Sequence, residues 1–179
     1  MIRLTTVTLT AMTILAIAGS GTAAPTPPTP TIAQRQTVTR ISAGQVQQIL
    51  DAVQQATEKA DIKTILSYLA PNATLEIRTQ SSLTGPQTLK LSREEYRRYL
   101  EEGFQLIKAS SSRMSDLKVQ VAPNGRTAIA TYQITEETTL KDQPITFSSV
   151  GTESVTFAIV QGRVLATQVR SNARVEIKQ

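Results

Sequence analysis

The sequence predicts an α+β domain in which three N-terminal helices pack on a curved, mostly antiparallel sheet. Two observations support that fold class. First, apolar residues recur at helical spacing behind two Ser-x-x-Gln/Glu capping boxes, which begin at Ser42 and Ser92. Second, the period of the apolar residues changes to two after Asp116 and stays there almost to the end of the chain, as expected for a series of strands.

Three helices follow from these signals. The first begins at the Ser42 capping box, and its apolar stripe consists of Val46, Ile49, Leu50, Val53, Thr57 and Ala60. Asp61 can cap a shorter second helix, which Pro71-Asn72 ends. The third begins at Ser92 and runs to about Lys108. Its charges alternate in sign at i,i+4, which is typical of a solvated helix face and predicts no nucleic-acid site.

The strands are predicted from alternation and turn residues. A first strand begins at Leu75, and a short second one spans 88–91. Asn124-Gly125 predicts a type I′ hairpin, and a two-residue turn there pairs Val121 with Ala128, Val119 with Ala130 and Leu117 with Tyr132. Residues 141–144 and Gln161-Gly162 turn the chain into two further strands, so that four long antiparallel strands end the domain.

The composition excludes several kinds of chemistry. The 179 residues include no Cys and no His, so Ser–His and Cys–His catalysis, thiolate or imidazole metal sites and disulfides are impossible. No metal and no cofactor is expected. The formal net charge of +5 is a mild basic excess, which is typical of a solvated surface.

The first residues predict export. Arg3 precedes an apolar stretch over Val7–Ala18, and small residues follow, so a signal peptide over 1–23 with cleavage after Ala23 is expected. A Pro/Thr-rich linker spans 24–41, and the folded domain spans 42–179. We therefore expect a periplasmic or secreted protein, which would be attached to a membrane only if the leader is not cleaved.

The order of these elements, and the stretch ADIKTILSYLAPNATL at 60–75, resemble the cone-shaped fold of the nuclear transport factor 2-like superfamily, also called cystatin-like or polyketide-cyclase-like. The resemblance covers about residues 42–177. It implies a curved sheet around a pocket that the helices close. Some members are enzymes, such as ketosteroid isomerase and scytalone dehydratase, and many others bind ligands or oligomerise. A His-assisted dehydratase site is impossible in this chain, and the sequence offers no pair of Asp residues on strands.

One pair of residues stands out within the predicted sheet. With a four-residue loop at 141–144, Leu140 pairs with Ile145 and Tyr132 lies opposite Glu153 on an otherwise apolar face. A buried carboxyl there has a raised pKa and could act as a general base or hold a polar ligand group. Tyr96, Tyr99 and Tyr68 are the other pocket candidates, because their amphipathic rings suit a cavity wall.

The register around Glu153 stays open at this point. A β-bulge at Gly151-Thr152 turns its side chain outward. A two-residue turn at Gln161-Gly162 places it opposite Arg170, and a three-residue turn there instead matches Val155 with Thr167.

Three functions are compatible with the sequence. The first is a non-catalytic domain that binds a small apolar or amphipathic ligand in the cone. The second is a protein-interaction module that dimerises through an exposed sheet face carrying Ile129, Thr131, Gln133 and Thr135. The third is an isomerase- or dehydratase-like enzyme that uses Glu153 and Tyr132. The absence of His and Cys favours binding or assembly over catalysis.

Overall fold

The computed structural model describes residues 38–81, 84–141 and 145–178, in which three helices and six strands follow one another. The helices are α1 (Ala43–Glu58), α2 (Ile62–Ser67) and α3 (Arg93–Leu106). The strands are β1 (Leu69–Ser81), β2 (Gly85–Ser92), β3 (Ile107–Val121), β4 (Thr127–Leu140), β5 (Thr146–Val160) and β6 (Arg163–Lys178). The predicted signal peptide and most of the predicted linker lie outside the described residues, so export stays a prediction. None of the helices in these ranges is long and apolar enough to cross a membrane.

The six strands form one sheet in the order β2-β1-β6-β5-β4-β3. All neighbours are antiparallel except β1 and β6, which run parallel. The α+β class and the predicted order of elements are confirmed. The helices do not all lie at the N-terminal end, because α3 lies in the chain between β2 and β3, as the predicted order requires.

The helix starts form as the sequence predicts. Ser42 and Ser92 each accept a hydrogen bond from the backbone N–H three residues on, and Gln45 and Glu95 complete the two capping boxes. Asp61 caps α2 by accepting from the N–H of Thr64. These bonds satisfy N–H groups that a helix start otherwise leaves without a partner.

Three strands begin earlier than predicted: β2 begins at Gly85 instead of residue 88, and β1 and β3 differ more. The chain enters β1 at Leu69, and Pro71-Asn72 lies in an irregular part of that strand, where its register with β6 shifts. The β3 strand begins at Ile107, directly after α3, and its first half is rich in Ser. Small polar residues give no apolar alternation, which is why this half of the strand was missed.

The β3–β4 hairpin has the predicted register but a different turn. Val121 pairs with Ala128 and Val119 with Ala130, as expected. The chain reverses through a turn in which the N–H of Gly125 donates to the carbonyl of Ala122 at 2.8 Å, and only Gly125 of the central residues has a positive φ, at 69°. The hairpin loop is therefore a turn that ends in a left-handed glycine, and it is not a two-residue type I′ turn.

A bulge in β3 removes one predicted pairing of that hairpin. Asp116 has a φ of 55°, and the register shifts between Ser115 and Lys118. Leu117 is therefore not paired with Tyr132, contrary to the prediction.

The β5–β6 hairpin determines which residue of β6 lies opposite Glu153. Gln161 and Gly162 both have positive φ, at 49° and 73°, so the two-residue turn is of type I′. A bulge then shifts the register by one residue where β6 passes Thr156 and Phe157. Glu153 consequently lies opposite Ser171, and the alternatives that placed it against Arg170 or bulged it outward are wrong.

The concave face of the sheet carries the core. Alternate residues of β4, β5, β6 and β1 are buried there, and α1 and α2 pack over them, with Ile41, Val46, Leu50 and Leu66 in the same cluster. The buried positions of β4 continue past Tyr132 to Ile134 and Glu136. Polar residues therefore lie at two levels of an otherwise apolar face, one at Tyr132 and the other at Glu136.

Candidate active site or ligand pocket

A cavity of about 100 Å³ lies between the helices and the concave face of the sheet. Its walls come from all three helices or their ends and from β1, β4, β5 and β6. Most of the lining is apolar: Ile49, Leu50, Val53, Ile65, Leu69, Leu75, Ile77, Val155, Phe157, Ala166 and Val169. The remaining lining residues are Thr57, Tyr68, Tyr96, Tyr132, Glu153 and Ser171. Ligand sites in proteins commonly combine apolar walls with a few polar groups in this way.

Tyr132 and Glu153 form the polar centre of this cavity. They face one another across β4 and β5, as the predicted loop length at 141–144 required, and the N–H of Leu140 donates to the carbonyl of Ile145. The Tyr132 hydroxyl donates to Glu153 Oε2 at 2.5 Å. Both residues are buried, with 5% and 9% of their surface exposed. The sequence prediction of this juxtaposition is confirmed, whereas a role for the pair in binding or catalysis is a separate matter.

The protonation of the pair is set mainly by burial. Removal from water raises the pKa of Glu153, and the hydrogen bond from Tyr132 opposes that rise by stabilising the ionised form. Burial also raises the pKa of Tyr132, and the neighbouring Glu153 charge adds to the rise. The phenol therefore stays protonated, and Glu153 changes charge at a higher pH than an exposed glutamate.

Ser171 completes this level of the sheet from β6. Its side chain lies opposite Glu153 and lines the cavity. The Ser171 hydroxyl is near enough to act on the pKa of Glu153, in the direction that lowers it. Its geometry nevertheless falls short of a hydrogen bond, and Ser171 Oγ has no partner among the described residues. A hydroxyl in this position, beside a buried carboxyl, can donate a hydrogen bond to a ligand or accept one from it.

A second buried carboxyl, Glu136, lies two same-face positions beyond Tyr132 on β4. It is 2% exposed, and Ser149 on β5 donates to its Oε2 at 3.2 Å. Its Oε1 has no partner among the described residues, and neither has the Oγ of Ser112, which pairs with Glu136 across β3 and β4. Burial raises the pKa of Glu136 well above its usual value, and the Glu153 charge adds to this rise. Glu136 is not part of the cavity lining.

The three other tyrosines do not behave alike. Tyr96 and Tyr68 line the cavity, the first from α3 and the second from the C-cap of α2. Tyr99 lies outside the lining and stacks on Tyr96, with ring centroids 6.2 Å apart and planes inclined by 19°. Burial raises the pKa of Tyr96 and of Tyr99, so both rings carry neutral phenols. Four of the five predicted site residues therefore line the cavity, and Tyr99 contacts it only through the ring of Tyr96.

Sequence reasoning missed Glu136 and Ser171. Glu136 has the same parity on β4 as Tyr132, so an extension of the predicted face by two positions finds it. Ser171 becomes visible only with the bulge near Thr167, whose hydroxyl bonds to the carbonyl of Thr156 at 3.2 Å. No cluster of three or more acidic side chains suited to a metal ion occurs within the described ranges.

The arrangement has two chemical capacities. A neutral Glu153 can donate a proton or a hydrogen bond, and an ionised one can accept a proton or bind a positive group. The apolar walls lower the local dielectric constant, which strengthens either interaction.

Comparison with known proteins supports the fold. No protein-family model and no curated protein matches this sequence. The chain is similar in structure to a nuclear transport factor 2-like protein of unknown function from Pseudomonas putida KT2440, with a TM-score of 0.58 and 15% identity over 72% of this chain and 84% of that one. A nuclear transport factor 2-like protein from Cytophaga hutchinsonii matches with a TM-score of 0.57 and 11% identity, over 74% of this chain and 99% of that one.

An enzyme shares the same architecture. The hexachlorocyclohexane dehydrochlorinase LinA-type3 of Novosphingobium barchaimii LL02 matches with a TM-score of 0.55 and 7% identity, over 72% of this chain and 83% of that one. The described domain has the nuclear transport factor 2-like fold. Because enzymes and proteins of unknown function share this fold at such low identity, the fold assigns no activity.

Proposed function

We propose that this domain binds a small apolar or amphipathic ligand in the cavity, with the polar end of the ligand at Tyr132 and Glu153. One observation carries the proposal: a space with predominantly apolar walls has a buried, hydrogen-bonded Tyr–Glu pair on one side. The small volume favours a ligand of about one ring, since an apolar cavity of roughly 150 Å³ in another protein holds a single benzene.

A binding experiment with a filled cavity tests this proposal. The probe is cyclopentanol, which has one small ring and one hydroxyl. We expect a dissociation constant on the order of 1 mM, which corresponds to about 4 kcal/mol and lies below the ceiling of about 1.5 kcal/mol per non-hydrogen atom for so small a ligand. Isothermal titration calorimetry measures it directly.

Two variants make the result specific. Ala166→Leu places a larger side chain in the cavity wall and should abolish binding, provided that circular dichroism shows a folded protein. Thr152→Leu adds a similar volume beside Glu153 but on the exposed face, and should leave binding unchanged. Absence of binding to the wild type, or equal binding to Ala166→Leu, contradicts the proposal.

Association through the outer face of the sheet is a second candidate. Ile129 is 43% exposed and Val150 is 54% exposed, and both lie on that face, where Thr131, Gln133 and Thr135 alternate with the buried positions of β4. Sedimentation velocity at two concentrations tests a dimer. A concentration-dependent shift that Ile129→Lys removes supports this function, and an unchanged monomer at high concentration rejects it.

Export belongs to the proposal as well. Its support is the sequence of residues 1–23, with Arg3 before the apolar stretch Val7–Ala18. Fractionation of cells that produce the full chain should recover a shortened protein outside the cytoplasm. A full-length protein in the cytoplasm contradicts export without bearing on ligand binding.

A further inference from the structure

Within the part of the chain that the structure describes, the concave face holds two buried carboxyls without a positive partner. Among the described residues no Lys or Arg is buried, and the ion pairs join other carboxylates at the surface, such as Arg97 with Glu94 and Arg174 with Glu176. Glu153 and Glu136 instead bond to neutral hydroxyls, those of Tyr132 and Ser149. Buried carboxylates in proteins are usually paired with a cation or a metal, so the ionised form of this site lacks its counter-charge.

The groups around Glu153 also favour a positive charge. Tyr132 lies opposite Glu153 on β4, and Tyr96 from α3 and Tyr68 from the end of α2 line the same cavity. The face of an aromatic ring attracts cations, and aromatic side chains recognise ammonium ligands in this way. Glu136 adds a second acidic group whose charge interacts with that of Glu153.

We propose that the ligand of the cavity is a small protonated amine, with its ammonium group against the Glu153 carboxylate and the tyrosine rings and its apolar body along the Val155, Phe157 and Val169 wall. This inference rests on the proposed function and specifies the class of ligand. The site is suited to one ammonium group, because Glu153 lines the cavity and Glu136 does not.

Binding of such a ligand is linked to the release of a proton. Burial raises the pKa of Glu153, so part of the free protein carries the neutral acid, while the complex requires the carboxylate. The proton leaves Glu153 for solvent and the ammonium group keeps its own. The affinity for an amine therefore rises with pH as Glu153 ionises, whereas the affinity for a neutral ligand does not.

A matched pair of ligands tests the inference. Cyclopentylamine and cyclopentanol differ by an ammonium group in place of a hydroxyl, and the amine stays protonated across the pH range used. At about pH 8 calorimetry should give at least a tenfold tighter constant for the amine, and at about pH 5 the preference should shrink. Titration in buffers of different ionisation enthalpy should detect proton release for the amine alone.

Two glutamine variants locate the effect. Glu153→Gln should remove the preference, so that amine and alcohol bind with similar affinities, whereas Glu136→Gln should keep most of the preference. If Glu153→Gln does not fold, the pH dependence of the wild type decides the question.

The outcomes separate the two proposals. Equal affinities for amine and alcohol, or an amine affinity that does not change between about pH 5 and about pH 8, overturn the amine inference and leave the pocket intact. Absence of binding by either ligand overturns the proposed function together with the inference.

Discussion

Glu153 and Glu136 are alike in burial but differ in what surrounds them. Both lie on the concave face of the sheet, and burial raises the pKa of each. Glu153 receives a hydrogen bond of 2.5 Å from a tyrosine and borders a cavity. Glu136 receives a longer bond of 3.2 Å from Ser149, has one oxygen without a partner among the described residues and does not line this cavity. A perturbed pKa alone therefore does not mark a site, and the two carboxyls differ in that only Glu153 borders this cavity.

Substitution of Gly151, which lies on β5 between Ser149 and Glu153, should have the largest effect on stability. A Cβ on Gly151 would lie 2.5 Å from the carbonyl oxygen of Asn172 and 3.0 Å from two atoms of Ala173, too close for real contacts. We expect Gly151→Ala to lower the free energy of unfolding by about 3 kcal/mol, because backbone rather than a flexible side chain must move. Urea denaturation measures the change.

Gly44 supplies the control for that experiment. It lies near the start of α1 with nothing within 4 Å of an added Cβ. Gly44→Ala should be neutral or slightly stabilising, by up to about 1 kcal/mol. If both substitutions have the same small effect, the close approach of β5 and β6 between the two carboxyls is wrong.

Removal of the Glu136 charge should stabilise the protein at high pH. The pKa of Glu136 in the folded state is raised above 4.5. At a pH below that value the residue is protonated in both the folded and the unfolded state, so its ionisation does not affect stability. As the pH rises further, only the unfolded state releases its proton, and the wild type loses about 1.4 kcal/mol for each unit of the pKa difference. Glu136→Gln escapes this loss.

Stability curves at two pH values measure this effect. The difference between Glu136→Gln and the wild type should grow in favour of the variant between about pH 4.5 and about pH 8. A constant difference would mean that Glu136 ionises as an exposed glutamate does, and its burial would then be wrong.

The two hydroxyl donors should differ in strength. Tyr132→Phe removes the shorter bond, and we expect a loss of about 1.5 kcal/mol together with a further rise in the pKa of Glu153. Ser149→Ala removes the longer bond and should cost about 0.5 kcal/mol, with a smaller rise in the pKa of Glu136. Carbon-13 NMR titration of the glutamate carboxyls measures both shifts. The reverse order of effects contradicts the contrast between the two sites.

The sequence predicted one half of the site well because local signals determine it. The length of the loop at 141–144 and the alternation of apolar residues place Tyr132 against Glu153 without any knowledge of distant contacts. The alternation of buried residues in β4 also reaches Glu136. Because that face is recognised by its apolar residues, a carboxyl at this position was not predicted to belong to it.

The other half depends on features that the alternation does not encode. Ser171 comes opposite Glu153 because a bulge in β6 shifts the register by one, and the neighbouring residues Thr167 and Gln168 carry no signal for it. Asp116 likewise bulges β3 and unpairs Leu117. The cavity itself depends on how α1 and α3 pack over the sheet, which no sequence pattern specifies.

The most direct measurement of ligand binding in the cone is methyl NMR of the protein titrated with cyclopentanol. We predict chemical-shift changes for methyl groups that line the cavity, those of Ile77, Val155 and Val169, and none for Ile129 and Val150 on the outer face of the sheet. Changes confined to the outer-face methyl groups, or no changes at saturating ligand, would contradict a binding site at Tyr132 and Glu153.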